Sequence, residues 1–472
     1  MTSNRPQHIQ ASSRDPQGAE HQKAPCSAES QRDQSASAAM EKTALSNATD
    51  DLMESIVDPE NLETAWRNVK GNRGAPGPDG MTIEAFPDAI REQLPEIRRQ
   101  LLEGTYQPGA ARRKSIPKPD GSERHLGIPN VIDRLIQQAI LQVLTPIFDP
   151  EFSESSYGFR PKRSAHGAIK QIQATIRSGY RHCVDMDLSK FFDKVHHDVL
   201  LVRVARKVHD KRLLKLIGRY LRAGVMIEGI QQPTAEGTMQ GGPLSPLLAN
   251  ILLDDFDKEL ESRGLRFVRY ADDFLVFTKT AAAAERVYQS VERYLTRKLK
   301  LVVNHQKSRV CSTNGVEFLG YQFHGYSGQI RISPKKLAKF NERIYEILNR
   351  NRGVSMTSRL AELRLYLRGW IGYFALEQRK TIFADLDKQI RRLIRACYWK
   401  SWRLPRTRIS KLIALGISKS DALAFGNSRK GVMRMSLTSA LQRGLTNAYL
   451  TAQGLFNLLE RWSELAPSRR TA

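Results

Sequence analysis

Two adjacent carboxylates, Asp272 and Asp273, stand where the chain must reverse between two strand-forming runs, and no other feature restricts its fold as much. Phe267-Val-Arg-Tyr270 leads in and Asp273-Phe-Leu-Val-Phe277 leads out, both rich in aromatic and β-branched residues. A tight hairpin with an acidic tip is the expected local fold. Acidic residues at such turns are more often plain turn formers, and Tyr-Ala-Asp-Asp alone is a weak signal. A second acidic strand strengthens it. In Cys183-Val-Asp-Met-Asp-Leu-Ser-Lys-Phe-Phe-Asp193, period-two alternation puts Asp185 and Asp187 on one face and Val184, Met186 and Leu188 on the other. Carboxylates from two distant segments can then converge on one site.

Converging carboxylates are hard oxygen donors suited to magnesium, and nucleotidyl transfer uses two such ions roughly 3.5–4 Å apart. One ion activates an attacking 3′ hydroxyl and the other steadies the leaving pyrophosphate. Either segment alone reads more simply as solvated strand-end charge; the two together, in this order, favour the metal reading. For Asp185 a structural ion pair explains the residue as well as metal binding does.

Composition narrows the partner. Lys and Arg number 74 against 49 Asp and Glu, a formal charge of +25, which marks a polyanion binder rather than an enzyme for small neutral substrates. A basic membrane-surface protein would need an amphipathic anchor or lipidation signal, and neither is evident; no apolar run reads as long enough to span a bilayer. Cys26, Cys183, Cys311 and Cys397 are scattered without a Cys-x-x-Cys pair, so neither a disulfide framework nor a cysteine zinc site is expected and a reducing cytoplasm is the default. The length suggests roughly two to four domains. Residues 1–39 are rich in Gln, Ser and Ala and poor in large apolar side chains, which predicts a disordered, dispensable tail over residues 1–45, with Met40 as an alternative start.

Further blocks follow in a fixed order. They are Asn72-Arg-Gly-Ala-Pro-Gly-Pro-Asp-Gly-Met-Thr82, Ile116-Pro-Lys-Pro-Asp-Gly-Ser-Glu-Arg-His-Leu-Gly-Ile-Pro129, Tyr157-Gly-Phe-Arg-Pro161, the strand around Asp187, Gly237-Thr-Met-Gln-Gly-Gly-Pro-Leu-Ser-Pro246, the Tyr-Ala-Asp-Asp hairpin and Glu317-Phe-Leu-Gly-Tyr321. Downstream come Tyr366-Leu-Arg-Gly-Trp-Ile-Gly-Tyr-Phe374, Ile390-Arg-Arg-Leu-Ile-Arg-Ala-Cys-Tyr-Trp-Lys400 and Asn427-Ser-Arg-Lys-Gly431. From about residue 57 almost to the C-terminus, the chain resembles the group II intron reverse transcriptases, also called intron maturases. The resemblance implies an α+β right-hand polymerase: an N-terminal extension and fingers over 46–180, a palm over 181–325, a helical thumb or maturase domain over 326–410, and a small basic DNA-binding region over 411–472. The zinc-associated endonuclease that many relatives append is not expected.

The same resemblance implies roles for particular residues. Asp187, Asp272 and Asp273 would hold two Mg2+ ions, with the backbone carbonyl of Leu188 on the same site. Lys118 and Arg124, flanking the turn Pro117-Lys-Pro-Asp-Gly121, would face the triphosphate; an exposed basic hairpin is the alternative. Phe192 would pack under the sugar and exclude a 2′ hydroxyl unless it is simply core, a task Phe191 can fill. Gln240 and Tyr270 would lie against the nucleotide, and Lys307 would be placed to protonate pyrophosphate, although most surface lysines are only solvated. In 330–410, aromatics including Trp370, Tyr373, Phe374, Tyr398, Trp399 and Trp402 would pack a three-helix thumb. Arg391, Arg392, Arg395, Lys400, Arg403 and Arg406 would face phosphates, and Arg429 and Lys430 would bind DNA from the C-terminal region, which is expected to end in a docked helix around Leu455 to Trp462.

The expected activity is RNA-templated DNA synthesis from dNTPs, with intron RNA as template and DNA as primer and target, accompanied by binding of the parent intron RNA to assist splicing. No membrane partner is expected, and the chain reads as a monomer or dimer. Two rivals stand beside this: a splicing factor with a vestigial polymerase site, which the intact aspartates, Gln240 and Arg124 oppose, and a domesticated enzyme of phage defence or DNA repair.

Overall fold

The computed structural model describes residues 51–117, 121, 123–227, 230–232, 237–238 and 241–465. The expected tail with Met40, Lys118 and Gln240 lie outside the described residues, as do the side chain of Arg124 and residues 466–472.

The first layer is helical. Leu52–Ile56 and Pro59–Gly71 pack on the long helix Val131–Phe148, and Phe86–Leu102 packs on Leu52–Ile56. Asp58 starts the second of these by accepting from the amides of Glu60 and Asn61, with Pro59 in the first turn. A basic hairpin, β1 (Ala111–Pro117) and β2 (Glu123–Ile128), pairs antiparallel as expected, with Ile116 opposite Arg124.

The stretch Val131–Glu151 corrects one expectation, since by length and composition it is apolar enough to cross a membrane. Here it is a core helix, and it carries a carboxylate inward. Asp133 is 1% exposed and accepts from the hydroxyls of Tyr106 (3.0 Å) and Tyr220 (3.2 Å) and from the Gly109 amide (3.1 Å). Those bonds tie the helix to the loop before β1 and to the helix Lys211–Arg222.

The central sheet has the order β6-β7-β3-β8, where β3 is His182–Met186, β6 Arg266–Tyr270, β7 Asp273–Thr278 and β8 Arg309–Ser312. Both faces are covered. Val184, Met186, Phe274 and Val276 join a core built with the helices Ser245–Ser262 and Ala281–Lys298, while Cys183, Val268, Leu275 and Phe277 join a second core with the helix Ala165–Arg177 and the C-terminal helices. Two-sided burial explains why β7 is continuously apolar after Asp273 rather than alternating.

Two strand pairings were not visible in the sequence. The strands β4 (Val225–Ile227) and β5 (Ile230–Gln232) pair antiparallel, and β4 runs parallel to β1. Both lie within 181–325 yet extend the sheet of the basic hairpin. Cys183 and Cys311 are register partners on β3 and β8 with sulfurs 3.5 Å apart as free thiols, a pairing that their separation in sequence conceals.

A small sheet, β9 (Glu317–Phe318), β10 (Tyr321–His324) and β11 (Gln329–Ile332), leads into helices Pro334–Ile347, Met356–Tyr373 and Lys380–Ser401. Trp370 is the hub of this bundle, its ring 4.2 Å from Phe340 and 5.0 Å from Phe374. The short helices after Ser401 share that core through Leu412, Met435, Leu441 and Leu450. The last, Leu458–Leu465, docks as expected: Asp387 accepts from the Leu458 and Leu459 amides at 3.0 Å, and the Trp462 indole donates to Glu377 O at 3.0 Å.

Burial pushes Asp133 up from 3.8 to about 6, although its three hydrogen bonds oppose the shift. The folded state therefore holds this proton more tightly than the unfolded chain. The resulting stabilisation is complete below 3.8 and is lost as pH rises through about 6. Asp133→Asn is expected to flatten the pH dependence of unfolding free energy between those values by ~3 kcal/mol relative to the parent. Denaturant titrations across that window check this, and parallel curves for the two proteins would contradict it.

Candidate active site

The β6–β7 hairpin turns through two residues, Ala271 and Asp272, with Tyr270 paired to Asp273. Ala271 has φ 58, a left-handed conformation that suits glycine better at the first position of so tight a turn. For a residue with a Cβ it costs roughly 1–3 kcal/mol unless the surroundings enforce it. They do so through Arg269.

The side chain of Arg269 is wholly buried, as is that of Asp257. Its Nε lies 2.8 Å from Asp257 Oδ1 and its Nη2 2.5 Å from Oδ2. Its Nη1 donates to Asn250 Oδ1 at 2.9 Å and to Ala271 O at 3.0 Å. Asn250 and Asp257 stand roughly two turns apart on one face of the helix Ser245–Ser262. Asn250 also donates to Gly158 O at 2.9 Å. Gly158 must be glycine, because a Cβ there would fall 2.3 Å from the amide nitrogen of Ala271. Backbone bonds complete the clamp: Arg269 N donates to Ser155 O and Tyr157 N to Arg269 O, each at 2.9 Å.

Asp187 reaches the same region from β3. The last register pair of β3 and β7 is Met186 with Phe274, so the next positions along the two strands are Asp187 and Asp273. Asp187 is gripped by the turn Asn304–Ser308: Asn304 Nδ2 donates to its Oδ2 at 3.0 Å, Asn304 N to its carbonyl at 2.9 Å, and its own amide donates to Ser308 Oγ at 3.0 Å. Lys307 is an exposed member of that turn. Leu188 is buried and bridges to Val303. Asp185 resolves differently from Asp187, since it faces Arg309 on β8 with Nε 3.4 Å from its Oδ2. Burial raises its carboxyl and Arg309 partly offsets that; it is an ion-pair residue.

The donor set at these strand ends, three carboxylates with a neighbouring main chain, fits a hard divalent cation in type. Asp187 and Asp272 are half-buried and Asp273 is exposed. Among the described residues, no group of three or more His, Cys, Asp or Glu side chains is drawn together closely enough to form a ready metal cage. The fold brings the acids to one edge of the sheet and does not close them on one point.

Around this edge, Phe191 is core at 3% exposed while Phe192 is half-buried against it, edge-on with centroids 5.2 Å apart. Thr238 N donates to Phe192 O at 2.6 Å. Gly241, at φ 129, passes so near β2 that a Cβ would lie 2.5 Å from Gly127 O. Thr238 thus touches Phe192, and Gly241 touches the strand that carries Arg124. Tyr270 is half-buried, its ring 6.4 Å from that of Phe159.

Arg392, Lys400, Arg403, Arg406, Arg429 and Lys430 are exposed, and Arg391 is half-exposed. Arg391 and Arg392 line a cavity of about 780 Å³ with Tyr345, Lys388 and Asn447. Arg395 is half-buried and lines the same cavity, and its Nε and Nη2 both donate to Leu445 O at 3.0 Å. The C-terminal segment thus contacts one side of this guanidinium and leaves it beside Arg391 and Arg392. Sequence reasoning did not single out Arg269, Asn250, Asp257, Asn304 or Ser308, and only the closeness of Asn304 and Ser308 to Lys307 in the chain offered a signal.

Removing one partner of a buried ion pair leaves the other charge uncompensated, typically at a cost of roughly 3–5 kcal/mol. Arg269→Met is expected to lose about that much unfolding free energy by chemical denaturation. A variant as stable as the parent would mean that Asp257 finds another partner.

Residues 116–323 match the family model described as reverse transcriptase (RNA-dependent DNA polymerase), and residues 337–412 match that of the group II intron maturase-specific domain. Protein YkfC of Escherichia coli K12 is 35% identical over 312 residues, covering 57% of this chain and 82% of YkfC. Group II intron-encoded protein LtrA of Lactococcus lactis is 29% identical over 347 residues, covering 59% of this chain and 58% of LtrA. Among solved structures, a partial Cas6-RT-Cas1–Cas2 complex is 28% identical with a TM-score of 0.34, covering 53% of this chain and 43% of that one, a likeness too low to add to the assignment. On the strength of its two domain matches and of YkfC, the chain belongs to the group II intron reverse transcriptase/maturase family and is an RNA-directed DNA polymerase.

Proposed function

We propose that the chain extends a DNA primer along an RNA template by metal-assisted nucleotidyl transfer at Asp187, Asp272 and Asp273. The observation that carries this reading is the placement of Asp187 beside Asp273 at the ends of adjacent strands, with Asp272 in the intervening turn. In the reaction the primer 3′ oxygen forms a bond to the α-phosphorus of a dNTP, the bond to the bridging oxygen of pyrophosphate breaks, and the hydroxyl proton leaves to solvent. Two magnesium ions, when bound, would supply charge neutralisation for both the entering and the leaving oxygen.

Asp187, Asp272 and Asp273 would hold those ions, with the Leu188 carbonyl beside Asp187. The Asn304–Ser308 turn fixes the Asp187 carboxylate, so it need not reorganise during reaction. Phe192 lies half-open above the Phe191 core, where a ring can sense a sugar substituent. Arg124 and Lys118 would neutralise the triphosphate from the basic hairpin, with Gln240 next to Gly241 as the segment's contact to the nucleotide. Lys307 sits exposed on the turn that grips Asp187 and would donate a proton to the leaving pyrophosphate.

A second role, binding of intron RNA to promote its folding, is supported by the maturase-specific match over 337–412 and by the exposed arginines of Lys380–Ser401. Polymerisation and RNA binding then occupy different surfaces.

Asp272→Ala with Asp273→Ala should abolish cDNA synthesis and leave RNA affinity nearly unchanged; primer extension within tenfold of the parent would refute the metal assignment. Arg391→Gln with Arg392→Gln should reduce the slope of log affinity against log salt by roughly one unit per lost phosphate contact. Phe192→Val should raise ribonucleotide incorporation relative to dNTP use, and unchanged discrimination with lost stability would make Phe192 plain core.

A further inference from the structure

Phe159 combines two features that stability alone disfavours. Its ring is 56% exposed, and its backbone has φ 58, in the left-handed region that a bulky side chain rarely adopts. Glycine or asparagine would relax the backbone and remove the exposed apolar surface. Both neighbours are nonetheless fixed. Gly158 is pinned between Asn250 and the Ala271 amide. Arg160 is buried, donating to Asp149 Oδ1 at 2.7 Å, Asp149 O at 2.8 Å, Ser153 O at 2.6 Å and Ser156 O at 3.0 Å. The fixed neighbours thus hold the ring out beside Tyr270, 6.4 Å between centroids, with much of the residue open to solvent. A strained, over-determined residue next to a reactive turn points to use by a ligand.

We propose that Phe159 is a stacking platform for the terminal nucleotide of the primer, a positioning contact that rests on the polymerase reading given above. The strand whose 3′ hydroxyl reacts at Asp272 and Asp273 must end beside their turn. Phe159 joins the turn through Gly158, and its ring adjoins Tyr270, the residue that enters the turn. Every base has a flat aromatic face, so stacking holds the primer end without regard to sequence, as copying requires.

The test uses the full chain and a DNA primer annealed to an RNA template, without nucleotides. Phe159→Asn, which suits the left-handed backbone, is expected to keep or raise the thermal midpoint while weakening duplex binding by about tenfold, within the range of a lost base–aromatic stack. Phe159→Tyr, which keeps the ring, should bind within twofold of the parent. A 2-aminopurine at the primer 3′ end should brighten in the Phe159→Asn complex as its stacking is lost. Binding of Phe159→Asn within twofold of the parent, or a fluorescence change confined to the templating position, would overturn the proposal. Because neither readout needs turnover, both decide the role of Phe159 even if primer extension itself were to fail.

Discussion

The acidic turn is placed by one buried guanidinium. Arg269 sits one residue before Tyr270 and carries no exposure at all, yet it binds Asp257, Asn250 and the carbonyl of Ala271 at once. Each bond reaches a different piece of the molecule. Asp257 and Asn250 belong to the helix that backs the sheet, Asn250 passes the contact on to Gly158, and Ala271 is the strained residue of the turn itself. A charge in so dry a place is weak evidence for stability, because its desolvation offsets much of the attraction to Asp257. Its return is geometric: the acidic tip has one position relative to the helix and to the 155–160 loop.

That fixed position matters because the acids come from separate strands. Asp187 is set by its own turn at Asn304–Ser308 and by the β3–β7 register, so the hairpin must be equally fixed for the carboxylates to serve one reaction. The two cores on either face of the sheet give the strands their rigidity. Beyond the sheet, the close approach of Gly241 to Gly127 brings the basic hairpin toward the acidic edge, and the helices after Pro334 carry positive charge away from it. The acidic edge and the exposed basic helices are thereby kept on different elements of one fold.

Much of this was legible in the residues, where a local pattern stated it. The acidic hairpin, the β3 alternation that hides Val184, Met186 and Leu188, the β1–β2 hairpin and the aromatic thumb each follow from periodicity or turn chemistry. What could not be read depends on long-range pairing. Arg269 reads as an ordinary basic residue in a strand, and nothing in the helix 245–262 singles out Asn250 and Asp257 among its polar positions. The parallel contact of β4 with β1, the facing thiols of Cys183 and Cys311, and the choice between Asp185 and Asp187 are all settled by register across strands. The bond from Arg395 to Leu445 O is a related case, since helical spacing cannot anticipate a C-terminal segment folding back to that helix.

If the Arg269–Asp257 pair buys position rather than stability, the two properties should separate in a double replacement. Arg269→Met combined with Asp257→Leu exchanges the ion pair for apolar contact of similar volume, a change that is often neutral or stabilising. The account predicts a double variant near the parent in unfolding free energy but slower in single-nucleotide primer extension by roughly a hundredfold, as the turn loses its donor to Ala271 and Asn250. A double variant that is both stable and fully active would contradict the claim that this guanidinium sets the geometry of the site.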